Sequence, residues 1–445
     1  MHQPRTCEDV LRTVKDENIK FVRFWFTDIL GFLKSFAITD NQLESAFEEG
    51  MGFDGSSIQG YARIDESDMV ARPDPTTFSV LPWRPNDGAG VARMFCDILT
   101  PAGEPYEGDP RWVLKRALAR AEAMGYSMFV GPELEYFYFR DSETPLKYLD
   151  AGGYFDLTPL DVASDLRRDT ILTLEEMGIE VEYSHHEVAP SQHEIDLHYA
   201  EALQMADIAM TYRLAVKEIA MKHGVYATFM PKPIAGENGS GMHTHISLFQ
   251  NGRNAFFDAD AEFHLSEVAR RFIAGVLRHA REITLVTNQW VNSYKRLVPG
   301  YEAPVYIAWA RRNRSSLVRI PMYKPGKEQA TRMEFRCPDP ACNPYMAFAV
   351  MLAAGLKGIE EGYELADPIE EDIFEMTPAQ RAERGIEALP GSLGEAISET
   401  SGSELVRNAL GDHIFEKFIT NKVIEWDNYR AHVSQFELDN YLTIL

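Results

Sequence analysis

The chain has 445 residues, 45% of them hydrophobic and 25% charged, a globular composition that allows a large core and excludes wholesale disorder. Its length exceeds one ordinary core and predicts about two domains. With 44 Lys and Arg against 68 Asp and Glu, the formal net charge is −24, which repels phosphate backbones and anionic lipid and excludes nucleic acid and membrane as partners.

The opening segment MHQPRTCEDV is polar and lacks an apolar stretch, so no signal peptide is expected. Residues 19–96 carry short apolar strands: IKFVRFWFTDILG predicts a strand and a hairpin turn, and ARMFCDIL a further strand. Between them, ITDNQLESAFEEG predicts a helix capped by Asp40 and ended by Gly50 and Gly52. Residues 50–55 fit GxGxxG, but a helix precedes them and no helical pattern follows. A dinucleotide fingerprint needs a strand before and a helix after. One helix among several strands predicts a small α+β domain.

Residues 100–110 are rich in Pro, Gly and acids and predict a linker, with Asp109 and Pro110 starting the next helix. Strands and long amphipathic helices then alternate without a βαβ rhythm. The longest apolar run, 347–356, is too short to span a bilayer. An acidic exposed excursion is expected over about 365–390, with helix resuming from Ser403. Cys7, Cys96, Cys337 and Cys342 form no CxxC pair and are expected as reduced thiols of a soluble, cytoplasmic protein.

Four segments carry chemistry. In FVGPELEYFYF, strand periodicity puts Glu133 and Glu135 on one face and Leu134 and Tyr136 on the other. Two carboxylates so close repel unless a cation lies between them; a solvated strand face is the alternative, and the aromatic flank argues for burial. YSHHEVAPSQHEIDL offers His185, His186, Glu187, His193 and Glu194, either as ligands or as polar loop residues. In FMPKPIAGENGSGMHTHISLF, a tight glycine loop leads into a strand with His243, His245 and Ser247 on one face. In TRMEFRCPDPACNPY, Arg332, Glu334 and Arg336 share a face, with Arg296, Arg314 and Arg319 upstream. These arginines could be plain salt-bridge partners, but the planar fork of arginine also suits phosphate and carboxylate. Hard oxygen ligands with little thiolate favour magnesium or manganese over zinc. There is no GxxxxGK[ST] loop, so any ATP site must be built on another scaffold.

In order, FDGSSIQGYARIDESDM, PELEYF, HHEVAPSQHEID, KPIAGENGSGMHTHIS, NSYKRLVPGYEAP, NRSSLVRIP and RMEFRCPDPACNPY resemble the type I glutamine synthetases across nearly the whole chain. The resemblance implies an α+β protein. A small N-terminal β-grasp domain would cover 15–100, and a large catalytic domain, with a curved antiparallel sheet flanked by helices, 108–445. It further implies a homo-dodecamer of two hexameric rings, with active sites between neighbouring subunits. The activity implied is ATP-dependent joining of ammonia to L-glutamate through γ-glutamyl phosphate, with at least two Mg²⁺ or Mn²⁺ ions per site.

By motif, the resemblance gives one metal to Glu135, Glu187 and Glu194 and the second to Glu133, His243 and Glu334. Glutamate would lie near Asn238, Gly239, Arg296 and Arg336. Nucleotide and phosphates would use Glu182, Tyr199, His245, Ser247, Arg314, Arg319 and Arg332. The ammonium pocket would draw on Asp54 and Ser57 of a neighbour, with Tyr154 and Glu302, and Glu302 would lie in a flap over the site. Two details imply the α-like branch, which is not adenylylated. DIFEMTP has Phe374 where the adenylylated branch carries a tyrosine, and Arg63 stands where the feedback-inhibited enzymes have an arginine. Gln329 departs from the lysine some members carry near the nucleotide. An amine-using relative, a γ-glutamylpolyamine synthetase, is the nearest rival. A non-catalytic nitrogen sensor or structural protein is a rival of another class, and the intact metal-ligand pattern argues against it.

Overall fold

The structure is a computed structural model that describes residues 6–56, 58, 68–84, 88–313 and 315–445. The sequence-predicted Ser57, Arg63 and Arg314 lie outside the described residues.

The first sheet holds β1 (Ile19–Thr27), β2 (Leu33–Thr39), β3 (Met51–Asp54), β4 (Asp68–Pro73), β5 (Ser79–Val80) and β6 (Gly90–Leu99), in the order β2-β1-β6-β4-β3 with β5 on β6. β1 and β2 form the expected hairpin. Its turn is held by Asp28 Oδ1, which accepts from the backbone N–H of Leu30 and Phe32 at 3.0 and 2.9 Å. Gly31 sits in that turn at φ 80, where a Cβ would come 2.9 Å from Asn343 Cα. Glycine is therefore required twice, for the left-handed backbone and for the close approach to the catalytic unit. β1 and β6 run parallel, so the chain leaves the hairpin and crosses over before pairing again. Val22, Phe24, Met94 and Ile98 pack there with Leu43 and Ala46 of the helix Leu43–Glu49.

Asp40 does not cap that helix. It opens a 3₁₀ turn, Asp40–Gln42, and its carboxylate pairs with Lys20 at 2.9 Å. The salt bridge across to β1 draws one carboxylate oxygen away, and the N-cap position falls to Gln42, two residues on. Gly50, at φ 76, ends the helix, while Gly52 lies within β3. Asp109 does cap the next helix, Pro110–Ala123, accepting from Arg111 N–H at 3.0 Å. Buried Arg111 joins the two sheets' surroundings by reaching Asp74, Asp97 and Asp207 at 2.7, 2.5 and 3.0 Å.

The second sheet contains β7 (Ser127–Phe139), β8 (Val181–His186), β9 (Gln192–Leu197), β10 (Ala200–Glu201), β11 (Tyr226–Thr228), β12 (Met242–Gln250), β13 (Arg253–Asn254), β14 (Tyr306–Ala310), β15 (Ser316–Arg319) and β16 (Met333–Phe335). The main order is β14-β15-β16-β12-β7-β9-β8. It is antiparallel apart from the β14–β15 pair at one edge. Long helices back it. The most buried, Pro344–Glu361, starts at an Asn343 cap with Pro344 in its first turn and ends at Gly362, φ 66. It crosses the helix Glu267–Arg278 so closely that a Cβ on Gly358 would lie 2.1 Å from Arg271 O. Each fully buried Leu, Met or Phe on it contributes roughly 1.5–3 kcal/mol, which binds together the helices that back the sheet.

The acidic stretch is less free than its composition suggests. Ile373 is fully buried, and Phe374 packs on Tyr306 with ring centroids 5.8 Å apart. Ile369, Ile373, Met376 and Ile386 pin an otherwise polar excursion. Among the described residues no helix is long and apolar enough to cross a membrane. Cys96, Cys337 and Cys342 are buried and Cys7 exposed, all as free thiols.

Candidate active site

Strand register assembles the site. β12 pairs with β7 so that His243 faces Glu133 and His245 faces Gly131. β16 pairs with β12 so that Glu334 faces His245. On the other side of β7, Glu135 faces Glu194 and Glu133 faces Asp196, while His185 of β8 faces Glu194. Residues from five strands thus meet on one face, while Leu134, Tyr136 and Ile246 on the opposite face are fully buried.

A cavity of about 450 Å³ opens above this floor, lined by Glu133, Glu135, Glu187, Glu194, His243 and Glu334 together with Tyr154, Asn238, Gly239, Arg296, Glu302, Arg319 and Arg336. A second, of about 220 Å³, is lined by Glu182, Tyr199, His245, Ser247 and Arg332, with Phe129, Asp196 and Gln329. Glu133 lines both and stands on the wall between them. The residues that the family motifs assign to the site, where described, therefore fall into these two neighbouring hollows, with one exception. Asp54 ends β3 in the other sheet, accepts from Ser56 N–H at 2.8 Å, and lines neither.

The donor sets fit divalent metal. His185, Glu187 and Glu194 place ligand atoms within 4.8 Å of one another, as do Glu133, His245 and Glu334. Glu135 lies against the first set, its Oε2 accepting from Gln192 and Gly241 N–H at 2.9 and 3.0 Å. His243 lies against the second, its Nδ1 3.3 Å from Glu133 and 3.7 Å from Glu334. Arg332 donates to His245 Nδ1 at 3.0 Å, so His245 carries its proton on Nε2, which points at Glu133 Oε1, 2.7 Å away. That leaves His243 as the imidazole of this set with a nitrogen for a metal.

Electrostatics separates the carboxylates. Burial, and then repulsion from Glu187, pushes Glu135 well above the usual range. Burial and neighbouring carboxylates, Asp196 first, do the same to Glu194, whose Oε1 is buried with no partner. Asp196 is raised to about 8 by burial and Glu133. Glu334 goes the other way: burial opposes, but Arg336 and the two histidines outweigh it and bring it to about 2. Arg336 donates to Glu334 at 2.7 Å, and Arg319 donates to its other oxygen. Burial, helped by Arg336, holds His243 down at about 4, the unprotonated form a metal requires. Crowded carboxylates that resist ionisation, beside an unprotonated imidazole, match the hard-ligand sites of magnesium or manganese.

A third cluster, Asp150, His186 and His193, is a brace. Arg167 donates to His193 Nδ1 at 2.8 Å, leaving the proton on Nε2, and His186 Nε2 meets Asp150 at 2.9 Å. Both His186 nitrogens and His193 Nδ1 are taken, while His193 Nε2 stands 3.8 Å from Asp150 Oδ2, and the cluster ties the loop before Tyr154 to the β8–β9 hairpin. Arg296 reaches the cavity wall, but its guanidinium donates to the carbonyls of Cys337, Pro338 and Arg336. In this arrangement it shapes the cavity through the backbone. Asn238 Nδ2 reaches Glu302 Oε2 at 3.3 Å.

Sequence reasoning passed over Asp196, Tyr301 and Lys232. Asp196 was within reach, since alternation from Glu194 puts it on the same face. The other two depend on loops meeting across 69 residues of sequence and left no local signal.

Comparison with known proteins agrees with this geometry. A family model described as the glutamine synthetase catalytic domain matches residues 107–441, and one described as the glutamine synthetase beta-Grasp domain matches residues 18–101. A glutamine synthetase of Mycolicibacterium smegmatis is 55% identical over 444 residues, covering 99% of this chain and all of that one. One of Methanosarcina mazei is 54% identical over 448 residues, covering 100% and 99%. Among solved structures, a GmaS/ADP complex superimposes with a TM-score of 0.88 at 31% identity, over 97% of this chain and 99% of that one. A Plasmodium falciparum glutamine synthetase gives 0.87 at 25% identity, over 98% of each. Its sequence, its sheet and its relatives all place this chain in the glutamine synthetase family.

Proposed function

We propose that the two hollows are the two halves of one ligase site, glutamate in the larger and ATP in the smaller, with Glu133 between them. The enzyme is an ATP-dependent glutamate–ammonia ligase that makes L-glutamine through γ-glutamyl phosphate. The observation that carries the division is the shared wall: Glu133 lines both cavities, with His243 on one side and His245 on the other.

One divalent ion would be held by Glu135, Glu187 and Glu194 and a second by Glu133, His243 and Glu334. When bound, such ions neutralise phosphate oxygens and the acyl group during transfer. Glutamate would lie along Asn238, Gly239, Arg296 and Arg336, with its γ-carboxylate towards Glu133. That carboxylate attacks the γ-phosphorus of ATP and ADP leaves. Arg314, Arg319 and Arg332 would stabilise the charge developing on the transferred group, while Ser247, Tyr199 and Glu182 hold the nucleotide. The ADP held by the similar GmaS structure supports a nucleotide site on this fold. Ammonium would bind among anionic groups, Glu302 and Tyr154 from one subunit with Asp54 and Ser57 from its neighbour, and lose a proton to Asp54. Ammonia then attacks the acyl carbon and phosphate leaves. The position of Asp54, away from both cavities of its own chain, supports a site shared between subunits.

The same reading includes a dodecamer of two hexameric rings, a cytoplasmic location, domains over 15–100 and 108–445, and the α-like branch. Phe374, half-buried on Tyr306, offers no hydroxyl for adenylylation, and Arg63 would mediate feedback by glutamine. The test is glutamine formation and phosphate release by the purified enzyme with glutamate, ATP, Mg²⁺ or Mn²⁺, and ammonium or putrescine. Dependence on ammonium with little turnover of putrescine is expected, and the opposite preference would overturn the choice of substrate.

A further inference from the structure

Residues 299–304 close one side of the larger cavity, with Gly300 at φ 92, Glu302 at φ 56, and Tyr301, Glu302 and Ala303 in its lining. Among the described residues, no backbone hydrogen bond ties this turn to another segment. Ala303 anchors its far end in the core, and two side chains from one segment hold its tip. Asn238 makes the 3.3 Å bond to Glu302. Lys232 stands with Nζ 3.9 Å from the centroid of the Tyr301 ring.

Lys232 is itself fixed. Its backbone N–H donates to Asn292 Oδ1 at 2.7 Å, and its carbonyl accepts from Asn292 Nδ2 at 3.0 Å. Its ammonium donates to the Glu237 carbonyl and faces the ring with its remaining hydrogens. A cation this close to an aromatic face, partly out of water, is a substantial attraction. For a turn with no backbone bond to its neighbours it is a direct restraint on the tip.

We propose that Lys232 is a positioning residue that latches the 299–304 turn over the site, and that the latch decides whether the activated acyl group meets ammonia or water. This rests on the ligase reading above. With the turn open, a water oxygen bonds to the acyl carbon of γ-glutamyl phosphate. The carbon–oxygen bond to phosphate breaks, the electron pair leaves with phosphate, and a proton goes to solvent. Glutamate is regenerated and ATP is consumed without product.

The experiment uses the assembled, full-length enzyme and measures phosphate released per glutamine formed at subsaturating ammonium. Amide hydrogen exchange of residues 299–304 is followed without substrates. In Lys232→Met and in Tyr301→Leu, excess phosphate and lid exchange should both rise roughly 2- to 30-fold, the range set by loss of one cation–π contact. Lys232→Arg and Tyr301→Phe keep cation and ring face and should stay near wild type, and the double variant should be no worse than the worse single one. Tyr301→Leu changes only the turn, so it tests the latch even where Lys232→Met fails to assemble. If Lys232→Met raises only the KM for glutamate, with exchange and phosphate per glutamine unchanged, the lysine merely shapes the Asn238 loop and the latch is overturned. Failure of the wild type to make glutamine would instead overturn the ligase reading, and the exchange measurement would still decide the latch.

Discussion

Removing divalent metal should make the stability of this protein fall as pH rises, the reverse of what ion-paired carboxylates give. Asp196 carries its proton up to about 8 in the fold, against an ordinary value of 3.8, through burial and the nearby Glu133. Burial and neighbouring carboxylates also raise Glu135 and Glu194. Between pH 4 and about 8 these three carboxyls therefore hold more protons in the metal-free native state than in the unfolded chain, while buried His243, held at about 4, and His193, also lowered, oppose them below 6.5. Stability then falls by up to about 1.4 kcal/mol per pH unit for each such carboxyl. Glu334, lowered from 4.5 to about 2, acts in the opposite sense. Its contribution is complete above 4.5 and is lost only as pH falls towards 2, outside this window. Metal binding must expel the retained protons, so apparent affinity should rise by about tenfold per pH unit for each proton released. Denaturant unfolding of chelator-treated protein at pH 5.5, 6.5 and 7.5, with Mn²⁺ titration calorimetry in two buffers of different ionisation enthalpy, measures both quantities. Metal-free stability that is flat or rising over this range, with no proton release on binding, would refute the reasoning.

Asp54→Ala should lower synthesis by roughly 10²- to 10⁴-fold, the usual cost of a lost general base, while ATP binding stays near normal. Glu334→Ala should abolish metal-dependent synthesis. Mixed oligomers of the two should regain some activity, and none despite proven subunit exchange would count against a shared site. Arg63→Ala should weaken inhibition by glutamine with turnover intact, in inhibition curves on the unmodified enzyme, and incubation with an adenylylating enzyme should leave its mass unchanged. Gly358→Ala forces a Cβ to within 2.1 Å of Arg271 O and should destabilise by roughly 1–3 kcal/mol as overpacking, read from the denaturation midpoint.

Much of the site was legible because strand alternation is a local rule. It put Glu133 and Glu135 on one face of β7 and His243 and His245 on one face of β12, and the buried Leu134, Tyr136 and Ile246 confirm the alternation. Alternation says nothing about register, however. That Glu133 meets His243 and Glu135 meets Glu194 depends on how strands separated by long helices slide against one another, and the packing of the sheet on helices such as Ala202–Lys222 and Pro110–Ala123 settles it. Local signals also fail where a distant charge competes. Asp40 has a cap's composition but answers to Lys20, because an intervening 3₁₀ turn moves the helix start two residues on and leaves the carboxylate facing the neighbouring strand. The family motifs identified the chemistry from residue types in order. The division of the carboxylates into proton-holding and ionised groups belongs to the tertiary structure alone. Burial and the approach of Arg319 and Arg336 to Glu334 set the field at each oxygen, and that field is a sum over groups the chain brings together only by folding.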